Sequence, residues 1–171
     1  ELRRLFPRTP NPDMMGLFGI SFSTLQRMKR ELGLKKDMKV INIEVKAFAG
    51  DEEKALNDFY AILAKYGIVD RVIVSSFNVG ILKRLKALHN DVFTGYLYHP
   101  GVKSDSFECF PWEVAVQTAL NHNCDAIHPE IKSLTKEVVD DAHANGLKVN
   151  CWTANTRERV AKAQEIGCDG V

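Results

Sequence analysis

The stretch "KVINIEVKAF" (residues 39–48) decides the fold. Side chains alternate along a strand. Ile41, Ile43 and Val45 therefore share one face, while Asn42, Glu44 and Lys46 share the other. The β-branched face asks for helices packed against it. The polar face sets a carboxylate and an ammonium two residues apart, and burying either charge is costly unless it is paired or binds something. Lys46 lies nearest the C-terminal end of the strand, with Glu44 one layer below. A carboxylate at that depth suits a hard divalent cation, and an ammonium above it suits a phosphate oxygen. An internal Glu–Lys bridge fits the spacing equally well, because perturbed charges gather in structural networks as well as at sites.

Outward from this strand the chain alternates between two periods. Residues 1–20 hold three of the six prolines and no clear period, which predicts a loop-rich opening segment. "SFSTLQRMKRELG" (21–33) predicts a helix capped by Ser21 or Ser23 and stopped by Gly33. After the strand over 39–46, helices are predicted over 51–67, 78–90, 111–123, 135–146 and 155–167. Strands are predicted over 71–77, 91–98, 125–129 and 147–153, with "CDGV" (168–171) as a sixth, cut short. Thr135 and Gly146 bracket one helix, and Asn155 with Glu158 forms a capping-box-like start to another. A longer loop occupies 99–110.

Short β-branched strands, each followed by a helix, are the mark of a parallel sheet covered by helices. Right-handed crossovers then leave a doubly wound sheet or a TIM-like (β/α)8 barrel. No G-x-G-x-x-G marks a βα junction, which weighs against a dinucleotide fold. In a barrel, ligands bind at the C-terminal strand ends. The polar residues collect there: Glu44 and Lys46, Ser75 and Ser76, His128, Trp152 and Thr153. The expectation is one α/β domain over residues 1–171, a (β/α)8 barrel that is incomplete because its N-terminal strands are absent.

Bulk composition narrows the function classes. The 171 residues are 45% hydrophobic and 26% charged, ordinary for a globular chain. Lys and Arg total 23 against 22 Asp and Glu, so net charge gives no reason to expect nucleic acid or an anionic membrane as partner. No apolar stretch reaches the roughly 18 residues that span a bilayer. Cys109, Cys124, Cys151 and Cys168 make no C-x-x-C pair, and three of them adjoin apolar strand-like runs, as buried free thiols do. A cytoplasmic, reducing compartment is the expectation. An exported form stays open, because any signal peptide would precede Glu1.

The ordered motifs add a family. "INIEVK" resembles the Asn-Ile-Glu-Ile-Lys strand of the glycerophosphodiester phosphodiesterase family, and "VIVSSFN", "GYLY", "DAIHP", "LTKEVVDDAHANGLKVNCWTAN" and "EIGCDGV" follow in the family's order. "ELRRL" and "ISFSTLQRM" look like the segments before that strand. The resemblance implies a (β/α)8 barrel that hydrolyses glycerophosphodiesters, its small-molecule substrates, to sn-glycerol 3-phosphate and an alcohol, with a divalent cation such as magnesium or calcium. It implies that Glu44 ligates the metal, that Lys46 contacts phosphate, and that Trp152 and Phe77 line the glycerol side. Asn155 is expected to cap a helix rather than touch substrate.

The family's His-Arg-Gly, Glu-x-Asp and His-Asp segments are not among these 171 residues. They carry the two catalytic histidines, expected as general base and general acid, so no catalytic residue is assigned here and these residues alone are expected to be inactive. Of the five histidines, His89, His122 and His143 fall in late helix turns, where a cation suits the dipole. His99 falls in a loop and is expected to be solvated. His128, at a strand end, is the one histidine expected to face the mouth and touch substrate. Two other readings stand beside hydrolysis. One is a non-catalytic relative that binds a phosphorylated ligand or a protein. The other is a different phosphate-handling barrel enzyme, such as an isomerase.

Overall fold

The computed structural model describes residues 40–46, 50–99 and 111–171. Within them five parallel strands form one sheet in sequence order: β1 (Ile41–Glu44), β2 (Val72–Ser76), β3 (Phe93–Tyr98), β4 (Ala126–Pro129) and β5 (Lys148–Val149). Five helices alternate with and follow them: α1 (Glu52–Lys65), α2 (Val79–Leu88), α3 (Trp112–Asn121), α4 (Lys136–Ala144) and α5 (Arg157–Glu165). Unbroken sequential order with parallel pairing is how a (β/α) barrel winds. A doubly wound sheet would reverse direction at a switch point. The described sheet is an arc of such a barrel.

The helices form where the sequence supplies their ends. Asp51 accepts a hydrogen bond from the Lys54 N–H at 3.1 Å, Glu52 and Glu53 follow in the first turn, and Gly67 takes φ +60 beyond the last. Asn78 caps α2 through the Gly80 and Ile81 N–H groups. The buried residues of each helix recur at helical spacing: Leu56, Phe59 and Leu63 in α1, Ile81, Leu82 and Leu85 in α2, Val138, Val139 and Ala142 in α4. They meet the outer face of the sheet, where Val45, Val72, Val74, Ile127 and Val149 are at most 2% exposed. Burial on this scale stabilises by about 1.5–3 kcal/mol per large side chain.

Register fixes which side chains share the other face. Glu44 pairs with Ser75, Ser75 with Gly95, Gly95 with Ala126, and Ala126 with Lys148. Residues two further on along each strand continue the same face.

The predicted ladder differs from the observed one in three places. The strand over 147–153 shortens to Lys148–Val149, followed by isolated bridges that pair Trp152 with Glu130 and Asn150 with Gly170. "CDGV" contributes that Gly170 bridge in place of a full strand. The cap of α5 is Thr156, not Asn155. Thr156 holds the extended φ/ψ of an N-cap and accepts from the Arg159 N–H, whereas Asn155 takes the Arg159 guanidinium at 3.1 Å. The opening segment 1–20, the helix over 21–33, the loop over 100–110 and Cys109 lie outside the described residues. Cys124, Cys151 and Cys168 are free thiols, the first two buried.

Candidate active site

One side chain per strand reaches the inner face at or just past the strand's C-terminal end: Lys46 after β1, Phe77 after β2, His99 after β3, Glu130 after β4 and Trp152 after β5. The last four make one cluster. The Phe77 and Trp152 rings meet edge to face at 5.8 Å, and the His99 ring lies 5.8 Å from Trp152 at a tilt of 44°. His99 Nε2 stands 3.2 Å from Glu130 Oε2, the two side chains being 28% and 15% exposed. Glu130 Oε1 also faces Lys132 Nζ at 3.5 Å, but Lys132 is 64% exposed and holds it weakly. Glu44 and Lys46 stand on the same inner face at β1, both exposed.

The backbone beneath this cluster is tightly tied. The Glu130 N–H donates to Tyr98 O at 3.2 Å, the Trp152 N–H to Pro129 O at 3.0 Å, and the Ile131 N–H to Trp152 O at 2.6 Å. The Trp152 indole Nε1–H donates to His128 O at 2.6 Å, which sets the ring's orientation. Lys162 reaches from α5 to Ile131 O at 2.9 Å, pinning the turn that carries Glu130.

One layer down, His128 is 4% exposed and its Nε2 lies 3.1 Å from Asn150 Nδ2. A Cβ built on Gly95 would lie 2.2 Å from that Nε2, so the imidazole occupies the space that glycine leaves open. Asn150 in turn leans over Gly170, its Oδ1 2.5 Å from where a Cβ would stand. Burial lowers the His128 pKa to about 4, so the ring is neutral near pH 7.

The serines divide by alternation. Ser76 faces outward and ties elements together, donating to Val45 O at 2.6 Å and accepting from the Asn78 N–H. Ser75 faces inward beside Glu44, fully buried, its Oγ without a hydrogen-bond partner.

Of the residues singled out in the sequence, Phe77 and Trp152 therefore meet at the mouth, with Glu44 and Lys46 on the same inner face, while His128 sits beneath it. His99 corrects an expectation. It is half-buried against Glu130 and Trp152 rather than solvated, so His128 is not the one histidine at the mouth. Glu130 and His99 were legible by parity alone, since 126, 128 and 130, like 95, 97 and 99, share the inner face. The other histidines hold helix ends. His89 stacks on Tyr60 at 3.7 Å, His122 Nδ1 meets Thr118 O at 2.8 Å, and His143 pairs with Asp169 at 2.7 Å.

A divalent cation of the hard class takes six or more oxygen ligands. The described residues hold no group of three His, Cys, Asp or Glu side chains placed to share an ion, and Glu44 alone does not make such a site. No helix among them is long and apolar enough to cross a membrane.

Comparison with known proteins agrees with this arrangement. A glycerophosphodiester phosphodiesterase from Caldanaerobacter subterraneus is 29% identical over 136 residues, covering 77% of this chain and 50% of that protein. A glycerophosphodiester phosphodiesterase structure from Parabacteroides distasonis superposes with TM-score 0.62 at 16% identity, covering 86% of this chain and 56% of that one. An Oleispira antarctica phosphodiesterase, solved in complex with the product sn-glycerol-3-phosphate, gives TM-score 0.62 at 23% identity, covering 88% and 55%. These structural likenesses establish a shared barrel fold. The chain spans about half the length of the curated relatives it matches. The profile of the glycerophosphoryl diester phosphodiesterase family matches residues 6–171, and with the ordered strands and mouth just described it places this chain in that family.

Proposed function

We propose that this chain supplies the gripping part of an enzyme that hydrolyses glycerophosphodiesters to sn-glycerol 3-phosphate and an alcohol. The observation that carries the reading is the placement of Glu44 and Lys46 at the end of β1, on the sheet face that also carries the Phe77–Trp152 contact, in a chain of this family. The Lys46 ammonium would offset negative charge gathering on the phosphoryl oxygens. Phe77 and Trp152 would cover the carbon side of glycerol and keep water from it. His128 would act from below, holding the indole of Trp152 on its carbonyl.

A divalent cation, magnesium or calcium, would polarise a phosphoryl oxygen when bound, and Glu44 would be one of its ligands. The described residues do not complete that site, so no step is assigned to it. Proton transfer would fall to the family's two histidines, whose motifs these 171 residues do not contain. The 171 residues alone are therefore expected to be inactive. The structure from Oleispira antarctica holds sn-glycerol-3-phosphate, the product this reading calls for.

The test uses the full chain that the gene encodes, assayed for release of sn-glycerol 3-phosphate from glycerophosphocholine with magnesium, with calcium and with chelator. Glu44→Gln should abolish the metal-dependent rate, and a wild-type rate in that variant removes Glu44 from the site. The rival reading is a non-catalytic relative that binds a phosphorylated ligand. Binding of sn-glycerol 3-phosphate without turnover by the full chain would establish that rival instead.

A further inference from the structure

The His99–Glu130 pair has no part in the grip described above, yet it stands in the same mouth. Its two residues come from adjacent strand ends, β3 and β4, and the Trp152 ring lies against the imidazole at 5.8 Å. The backbone that carries Glu130 is tied by three hydrogen bonds: its own N–H on Tyr98 O, the Ile131 N–H on Trp152 O, and Lys162 on Ile131 O. The carboxylate is thus carried on a tied backbone, with His99 as its half-buried partner.

An ionised carboxylate offers about four lone-pair positions. His99 takes one on Oε2 at 3.2 Å, and exposed Lys132 stands 3.5 Å from Oε1. Capacity remains for hydrogen bonds from a ligand, and the carboxylate is only 15% exposed. Beside it, Trp152 and Phe77 present apolar ring surface. An aromatic ring face next to an acceptor suits a small polyol, whose C–H groups face the ring while its hydroxyls donate to the carboxylate. A bare phosphate or an apolar alcohol would use only part of it.

We propose that Glu130, oriented by His99, reads the glycerol hydroxyls of the substrate and so selects glycerol-bearing diesters over other phosphodiesters. Glu130 is a specificity-determining residue, and His99 is a positioning residue that acts through it. The inference rests on the hydrolase reading above. It commits to the glycerol end of the substrate and leaves the departing alcohol aside.

The experiment measures kcat/KM of the full gene-encoded chain on glycerophosphocholine and on bis(p-nitrophenyl) phosphate, which has no glycerol. The readout is the ratio of the two. Glu130→Met keeps the side chain's length and removes its acceptors. Losing hydrogen bonds to a charged group should lower the ratio by about 10- to 100-fold. His99→Phe keeps a ring against Trp152 and releases Glu130, and should lower the ratio by a smaller factor, mostly through KM. Should Glu130→Met fail to fold, Glu130→Gln replaces it, with a drop of about threefold to tenfold expected because one oxygen is kept. Equal loss on both substrates, or an unchanged ratio, overturns the role of Glu130 and leaves the hydrolase reading intact. A wild-type chain that turns over neither substrate overturns the hydrolase reading itself, and this inference with it.

Discussion

Gly95→Ala tests the layer beneath the mouth. Gly95 sits within β3, in backbone that alanine adopts without strain, so the change would ordinarily add about 0.4–1 kcal/mol by restricting the unfolded chain. Here the new Cβ would stand 2.2 Å from His128 Nε2, 2.6 Å from its Cδ2 and 2.7 Å from its Cε1. A real contact needs about 3.5 Å or more between such atoms, so the imidazole must move by roughly an ångström. It is 4% exposed and bonded to Asn150, and its backbone carbonyl holds the Trp152 indole. Overpacking of this kind costs about 1–3 kcal/mol, and a lost hydrogen bond adds about 1 kcal/mol. The net expectation is a loss of about 2–3 kcal/mol, a fall in Tm of about 4–12 °C. The assay is urea and thermal unfolding of the wild type, Gly95→Ala, His128→Ala and the double variant. On the His128→Ala background the methyl should enter vacated space, so Gly95→Ala should be close to neutral there. A coupling of about 2 kcal/mol is expected. An equal cost on both backgrounds would refute the claim that His128 fills the place of the missing side chain.

His128 also sets a pH dependence. Its folded pKa lies at about 4, below the ordinary 6.5, because burial disfavours the charged ring. The unfolded chain then binds the proton more readily, so stability falls as pH drops from about 6.5 toward 4, by up to about 3 kcal/mol. His128→Gln should flatten unfolding free energy across that window. Asp169 behaves in the same sense at lower pH. Burial works to raise its pKa, but hydrogen bonds from Lys148, the Val149 N–H and His143 prevail and hold it at about 2. Its contribution is present above about pH 4 and is lost as pH falls toward 2. Asp169→Asn should cost about 1–2 kcal/mol at pH 7 in urea titrations. Thr156→Ala should cost about 1 kcal/mol by removing the cap of α5, and Asn155→Ala clearly less; the reverse order would restore Asn155 as the cap.

Most of the fold was legible because its signals are local. Strands of four to six residues, helices with acid-rich starts and glycine ends, and sequential parallel pairing all follow from period and caps. The two-residue β5 was harder. Its predicted run, 147–153, alternates apolar and polar residues, but register with β4 ends at Val149 and only single bridges continue beyond it. The site was legible where alternation runs within a predicted strand, as at Glu44 and Lys46 in 39–46. It was missed where counting stopped at the last strand residue. Tyr98 closes β3, so His99 looked like loop, yet it continues the inner-face series of Gly95 and Leu97. Glu130 likewise follows the last strand residue, Pro129, and continues the inner-face series of Ala126 and His128. The depth of His128 was hidden for another reason. Nothing local says that a glycine one strand away leaves room for its ring.

The placement of the histidines argues for a division of labour within the barrel. Proton transfer at phosphorus needs a base and an acid within hydrogen-bond reach of the reacting oxygens, with pKa values near the working pH. His128 fails on both counts, being buried below the mouth and neutral down to about pH 4. His89, His122 and His143 are bound to helix ends and loops away from the inner face. His99 alone stands at the mouth, and its Nε2 is turned onto Glu130 at 3.2 Å. In the proposed function Lys46, Phe77, Trp152 and Glu130 would hold, cover and orient. In the proposed reaction, the groups that move protons are therefore not the histidines of β2 to β5. Glu44, the proposed metal ligand, stands on β1, outside the Phe77–His99–Glu130–Trp152 cluster. Replacing it should therefore damage the rate more than replacing any residue of the Phe77–His99–Glu130–Trp152 cluster, and a cluster variant with the larger loss of kcat would contradict this division.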